Sequence, residues 1–449
     1  MRRSLALCLY WLLACGSPQA QPALDTAGDV LPPSAAESNA PSKAKPASQG
    51  SRRSPSPREA RVINELMTSA ERVRALRFKR PVPVLVEDRT RITDYVATQI
   101  EEEELERARI VYTALGLLSA DLDVRSLLLR LMGEQVVGYY DADEKHLVVR
   151  DDIMRGFAER RQDADSNDLT EARIVLVHEL VHALQDQNLD LSAHIHEERD
   201  TDASNAFHAL VEGDATLAMI GYALEREQVP LHRLTGNPTQ VRSFSDVVRR
   251  SPLAGSELEQ APAIVRVPLL SAYVDGLSFC ASLHGSGGWA AIDRAHAAPP
   301  VSTEQILHPE RFTQRDLPTR VKLPELPELS AAGYELVRED TLGELEIGVY
   351  FGQGVSEEDA KRAADGWDGD RIRVYRASKQ PAAVVWLSAW DTEGDAEQAA
   401  YAAERVVRTG PRSWQTRCSV VRRGTSVLMV RDLSPALIAK LVPRLLPTR

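Results

Sequence analysis

Inside an apolar stretch of this 449-residue chain stands the run His178-Glu179-Leu180-Val181-His182. Two histidines four residues apart share one face of an α-helix, so both imidazoles can grip a single Zn2+ ion from the same side. Glu179 projects beside such an ion, where its carboxylate can take a proton from a water molecule activated there. The chemistry on offer is metal-assisted hydrolysis. A pattern this short arises by accident in about one chain in a hundred of this length, so the neighbouring residues have to decide.

The element that must carry the pair is a helix. Ile174, Val175, Leu176, Val177, Leu180, Val181 and Leu184 cover most of a helical circumference, which predicts a buried helix from Thr170 to about Asn188, capped by Thr170 or Asp168. Two histidines and a glutamate buried there are costly unless partnered, and a bound ion partners all three. The ordinary alternative is a core helix with two hydrogen-bonded histidines.

A catalytic zinc site needs a third protein ligand and one open position. The residues after His182, Ala183-Leu184-Gln185-Asp186-Gln187-Asn188, lack the Gly and His of the extended metzincin pattern. A second apolar helix is predicted from near Asp202 past Tyr222, and its Glu212 is the natural third ligand of a His2Glu set. His208, one turn earlier on the same face, competes for that place or supports it from behind. Upstream, Glu134 to Tyr140 and His146 to Arg150 alternate around the polar turn Asp141-Ala142-Asp143-Glu144-Lys145, a β-hairpin signature. A strand so placed can hold an extended peptide by backbone hydrogen bonds.

At this point the chain resembles the zincin metallopeptidases of the gluzincin type, whose third ligand is a glutamate on a following helix. More narrowly, Val177 to Gln187 and Leu210 to Ala215 are similar to a group of largely uncharacterised bacterial and archaeal metallopeptidase-like proteins. Val137-Gly138-Tyr139-Tyr140-Asp141 and Pro300 to Pro309 fit the same likeness, which spans about residues 60 to 315, with a weaker echo at Gly366 to Arg371. The resemblance implies Zn2+ as cofactor, His178, His182 and Glu212 as ligands, Glu179 as general base, and a peptide or protein substrate. Its motifs specify the metal site far better than the substrate. The chain departs from the best-known gluzincins at Thr216, where they carry an aspartate that supports a zinc-bound histidine. Asp214, two residues from Glu212, points elsewhere on its helix, whereas Asp186, one turn past His182, could orient that histidine; which aspartate takes over stays open. Tyr139, Tyr140, Tyr273 and His308 are candidate oxyanion helpers; Tyr273 reads more simply as a core aromatic and His308 equally well as a structural group.

The start of the chain suggests a location. A basic Met1-Arg2-Arg3, a short apolar run from Leu5 to Leu13 and Leu12-Leu13-Ala14-Cys15 match a bacterial lipoprotein signal, with residues 1–14 removed and Cys15 acylated. Residues 15–58, rich in Pro, Ala and Ser, read as a tether reaching on the order of 35 to 40 Å from the lipid. The expected address is the bacterial cell envelope, lipid-anchored. Once Cys8 and Cys15 are set aside, Cys280 and Cys418 remain; they could form one disulfide linking the two domains in an oxidising compartment, but an apolar helix and a strand around them favour two buried free thiols. A formal net charge of -11 argues against a nucleic-acid partner, and no later segment is expected to span a membrane.

The fold class expected is α+β: a zincin-like metallopeptidase domain over 59–317, mainly helical with a small sheet, followed by a small α+β domain over 330–449. The acidic run Glu101 to Glu104 reads as a solvated helix face, and prolines and charges from Pro318 to Leu329 as a linker. Beyond it, strands at Arg371–Arg376, Ala383–Ala389, Thr416–Val421 and Val427–Arg431 alternate with helices near Glu357–Ala364, Ala396–Arg408 and Pro435–Leu446. No catalytic constellation lies there; Asp391 and Asp395 could bind a cation, but Trp390-Asp391-Thr392 reads more simply as a strand end leading to a helix cap. Substrate recognition or docking is its default role.

Overall fold

The computed structural model of the protein describes residues 50–446, apart from 134–135, 160–166, 238–239, 242, 244–255 and 379. The expected signal peptide, the acylated Cys15, most of the tether and Glu134-Gln135 of the hairpin lie outside the described residues.

The chain opens with β1 (Arg52–Arg53), α1 (Pro57–Arg74), β2 (Val84–Glu87) and the helices α2 (Arg89–Gln99), α3 (Glu102–Ala114) and α4 (Val124–Gly133). Next come the hairpin β3 (Gly138–Asp141) and β4 (His146–Arg150), then α5 (Asp151–Glu159), α6 (Asn167–Asn188), α7 (Leu191–Ile195) and α8 (Thr201–Arg226). Among the described residues there follow α9 (His232–Thr235), α10 (Ser256–Gln260), α11 (Ala263–Gly287), α12 (Trp289–Ala297), α13 (Thr303–Leu307) and α14 (Pro309–Gln314). A four-stranded sheet in the order β1-β2-β4-β3 runs through this part, with β2 parallel to β4, β3 antiparallel to it, and β3 at the edge.

The expected tether is shorter than 15–58. Arg52 and Arg53 pair with Glu87 and Val86, Arg53 bonds Glu59 and Asp151, and Ser56 forms a capping box with Glu59, worth about 1 kcal/mol. Order in β1 comes from its partners and not from its own composition.

Two helix contacts place the chemistry. α6 is buried through its centre, Leu176 to Leu184 being at most 1 % exposed, and packs on α1, α8 and β3. Its first residue is Asn167, so Thr170 lies inside the helix instead of capping it. α8 begins at Thr201 and is capped by Asp200, whose carboxylate accepts from the Ala203 N–H. It crosses α11 at backbone contact: a Cβ added to Gly213 would lie 2.2 Å from the Gly276 carbonyl, and one on Gly276 2.1 Å from Ala209 O. Only glycine permits that approach. By length and composition α11 could cross a bilayer, against the expectation that no later segment could; it lies instead as a core helix against α8, with Leu277, Phe279 and Cys280 fully buried.

The C-terminal part comprises α15 (Pro327–Ala331), β5 (Glu335–Asp340), α16 (Gly343–Phe351), α17 (Glu357–Ala364), β6 (Trp367–Arg376), β7 (Ala383–Trp390), α18 (Glu393–Thr409), α19 (Arg412–Arg417), β8 (Cys418–Arg423), β9 (Ser426–Arg431) and α20 (Pro435–Leu445). Its sheet is antiparallel, in the order β5-β6-β7-β9-β8. The chain is thus mixed α+β with two small sheets. The boundary is less clean than a linker implies, because Leu323, Leu326 and Leu329 are buried in the core of this second sheet. Val111, Ala114 and Leu115, at the end of α3, join the core on its other face. The acidic run is not wholly solvated either, since Glu104 is buried against Arg338 of β5. Thr392 and Asp395 form the capping box of α18, as that segment's pattern suggested.

Candidate metal centre

His178 and His182 lie on consecutive turns of α6 with their rings edge to face, and Glu212 reaches them from α8. His178 Nε2 stands 3.0 Å from His182 Nε2 and 3.0 Å from Glu212 Oε2, and His182 Nε2 stands 3.7 Å from that same oxygen. Ligand atoms around a tetrahedral zinc with 2.0–2.1 Å bonds are spaced by about 3.4 Å, so the triangle has the dimensions of one face of such a shell. His178, His182 and Glu212 are 1 %, 1 % and 3 % exposed. Burial opposes charge on His182, but the facing Glu212 carboxylate outweighs it and lifts the ring's pKa to about 9. Burial would likewise raise Glu212, yet the two imidazoles hold it far below the usual carboxylate range. The donor set therefore asks for positive charge at its centre, which a divalent cation supplies.

The tautomer of His182 follows from Gln185, one turn further along α6. The Gln185 amide nitrogen donates to Val211 O at 3.0 Å and Asp214 Oδ2 at 2.9 Å, so its oxygen must face His182 Nδ1, 2.8 Å away, and accept from it. With the Nδ1 proton held by Gln185, it is the Nε2 proton of His182 that a cation in the triangle would displace, freeing the Nε2 lone pair for it. Asp214 is held in turn by Arg74 Nε at 2.6 Å and His296 Nε2 at 2.9 Å, all three side chains being buried. Burial would raise the Asp214 pKa, but Arg74 and His296 keep it well below the usual carboxylate range. Asp214 thus acts through Gln185, whereas Asp186 faces away from His182, taking hydrogen bonds from Tyr140 and Lys145 at 2.8 Å each. Thr216, where the best-known gluzincins place their aspartate, is buried on the same helix.

Glu179 is fully buried, and its Oε2 accepts from the Tyr140 N–H of edge strand β3 at 3.1 Å. One of its oxygens lies within 4.8 Å of a ring nitrogen of each histidine, a separation that one water molecule can bridge. The four expected residues therefore come together. His208 does not join them: it sits buried beside Phe207, ring centroids 6.1 Å apart, and burial lowers its pKa to about 4.

Of the four candidate helpers, Tyr139 stacks on Tyr95 at 4.8 Å, Tyr140 gives its hydroxyl to Asp186, and His308 bonds Glu344. Tyr273 packs in the core beside Leu269 and Ala272, as its sequence setting suggests, and also lies against the site, its ring centroid 6.2 Å from that of His178. Sequence reasoning missed the roles of Gln185, Arg74 and His296. Only Gln185 left a signal, three residues past His182 on the same helical face. Cys280 and Cys418 are both free, as expected.

Residues 333–441 match a domain of unknown function (DUF8575). The match covers β5 through most of α20 and leaves the metal centre outside it. Comparison with curated proteins and with solved structures returns no match.

Proposed function

We propose that the chain is a zinc-dependent metallopeptidase with a zincin fold of the gluzincin type, held at the bacterial cell envelope by a lipid on Cys15. The observation that carries this reading is the buried triangle of His178 Nε2, His182 Nε2 and Glu212 Oε2 with the Glu179 carboxylate within 4.8 Å of both rings. The order of elements adds support: an edge strand, a histidine-pair helix and a glutamate helix packed on it.

His178, His182 and Glu212 would hold Zn2+, which when bound supplies Lewis-acid polarisation of a carbonyl and a more acidic attacking water. Glu179, oriented by the Tyr140 N–H, accepts the water's proton and returns it to the leaving nitrogen. β3, at the edge of the described sheet but buried along its length, is the strand an extended peptide would align against once the elements covering it move. Tyr273, beside His178, is the side chain that can donate to the developing oxyanion.

The burial of the centre favours a second reading. With each of these groups at most 3 % exposed, a substrate reaches Glu179 only after surrounding elements move. A non-catalytic binding or scaffold lipoprotein that keeps the fold, and the metal for stability, has no such requirement. Metal analysis beside a peptide-library digest separates the two. For the peptidase, wild type cleaves, Glu179→Gln keeps its zinc but loses nearly all turnover, His182→Ala loses the ion, and Glu212→Ala weakens zinc far more than His208→Ala. Fully zinc-loaded wild type that cleaves nothing favours the scaffold, and undiminished turnover in Glu179→Gln removes the assigned base.

A further inference from the structure

Two segments set apart by the sequence but unused by the metal centre meet where α13 and α14 face α16 and α17, a seam between the first part of the chain and the C-terminal part. His308 joins α13 to α14, Glu344 stands in the first turn of α16, and Asp365 caps the end of α17 just ahead of the Gly366–Arg371 stretch. His308 Nε2 lies 2.9 Å from Glu344 Oε1 and 3.6 Å from Asp365 Oδ1, and one ligand atom from each residue falls within 4.8 Å of the others. We propose that His308, Glu344 and Asp365 form a second divalent-cation site that joins the first part of the chain to the domain matched over 333–441.

A plain histidine–carboxylate ion pair leaves two features unaccounted for. The first is Glu344 Oε2, buried on a residue only 6 % exposed and without a hydrogen-bond partner. A carboxylate's two oxygens are little more than 2 Å apart, so this buried oxygen sits at the cluster, where leaving it unpaired is costly. The second is charge. Arg311, the neighbouring guanidinium, is shared among Glu304, Asp316 and Asp391 at 3.0, 3.1 and 2.5 Å. With Glu344 and Asp365 the seam gathers five carboxyl groups around Arg311 and His308. A divalent ion offsets that excess and takes up the idle oxygen.

The donor set also names the class of ion. One imidazole with two carboxylates suits first-row divalent ions, zinc foremost, better than calcium or magnesium, which prefer all-oxygen shells. Bond lengths of 2.0–2.2 Å give ligand spacings of about 2.9–3.6 Å in octahedral or tetrahedral shells, and the two His308 distances fall in that range. Asp365, with its side chain 64 % exposed, leaves one side of the site to water.

This site does not depend on the peptidase reading, and the test keeps the two apart. Purified full-length protein is equilibrated with buffered Zn2+ alone, and bound metal is counted by elemental analysis while affinity is read by chelator competition. Wild type should bind two ions, and His182→Ala should keep the seam ion. His308→Ala and Asp365→Asn should each keep the ion of the HELVH centre and lose affinity at the seam by more than about 100-fold, beyond the effect of an outer partner. The exposed position of Asp365 guards against misfolding as an explanation, and circular dichroism checks His308→Ala. Saturation of wild type at one ion that both seam variants retain unchanged would overturn the proposal, as would wild-type stoichiometry and affinities in both seam variants.

Discussion

Replacing Gln185 tests whether the histidine pair is built for metal or merely buried. Gln185→Leu keeps the volume but removes the oxygen that accepts from His182 Nδ1 and the amide that donates to Val211 O and Asp214 Oδ2. Asp214 keeps Arg74 and His296, and Val211 O lies within α8, so the group left bare is the His182 Nδ1–H. An unsatisfied buried polar group costs about 1–3 kcal/mol, which sets the loss expected in the metal-free protein. Losing the partner that fixes a ligand histidine costs about 10–100-fold in metal affinity, or about 1.4–2.7 kcal/mol. Gln185→Glu separates the two effects. Its carboxylate still accepts from His182 Nδ1 and raises the ring's basicity, so zinc should bind at least as tightly. It meets Asp214 with like charge, so stability should fall. The assay is chelator competition for zinc at fixed pH, alongside urea unfolding of the metal-free forms. Zinc affinity in Gln185→Leu within about twofold of wild type, set against that 10–100-fold, would refute the orienting role. Equal affinity losses in both variants would refute it too.

Three further outcomes are expected. Gly276→Ala drives a Cβ to 2.1 Å from Ala209 O, a backbone atom that cannot yield without parting α8 from α11; urea unfolding should show a loss of about 1–3 kcal/mol, and a change under about 0.5 kcal/mol would contradict the crossing. Arg74→Met strips the buried Asp214 of its guanidinium partner and should cost about 3–5 kcal/mol by the same measurement, a loss that a neutral result would contradict. Glu346 is buried, accepting from Tyr112 and Asn205, and desolvation lifts its pKa from 4.5 to about 8. Its neutral form is the one folding favours, so its stabilising contribution is complete below pH 4.5 and is lost as pH rises through about 8, with a ceiling of about 5 kcal/mol. Melting curves should therefore show Glu346→Gln matching wild type near pH 5 and exceeding it near pH 9; parallel pH profiles would sink this assignment.

The ligand set was legible because its geometry is local. The four-residue spacing of His178 and His182 and the apolar saturation of α6 need no partner to be read, and Glu212 stands in a helix with its own periodicity. The supports were not legible, since Arg74 and Asp214 are 140 residues apart in sequence, and His296 and Asp214 82. In the C-terminal part, β6, β7, β8, β9, α17, α18 and α20 fall close to where alternation and periodicity place them. β5 was missed because Glu335-Leu336-Val337-Arg338-Glu339-Asp340 is charged and alternates weakly, as edge strands often do. The prolines of Pro318–Leu329 read as a linker, whereas the three-residue spacing of Leu323, Leu326 and Leu329 turns all three toward one core.

α8 shows why the two parts of the chain have to be considered together. At its start, Thr201 gives its N–H to Asp340 Oδ1 at 2.8 Å and its hydroxyl to Asp340 Oδ2 at 2.7 Å. Asp202 takes the Thr303 N–H at 2.9 Å, and Gly343 packs so closely that a Cβ there would fall 1.8 Å from Asp202 Oδ1. Asn205 adds a bond to Glu346 at 3.3 Å. Eleven residues on, at about 1.5 Å per residue, the same helix delivers Glu212 to the histidines, roughly 16 Å away. A helix of this length is stiff along its axis, and the glycine crossing with α11 gives it a fulcrum next to Glu212. Whatever fixes β5 and α16 against Thr201 and Asp202 therefore also fixes where the Glu212 carboxylate meets His178 and His182.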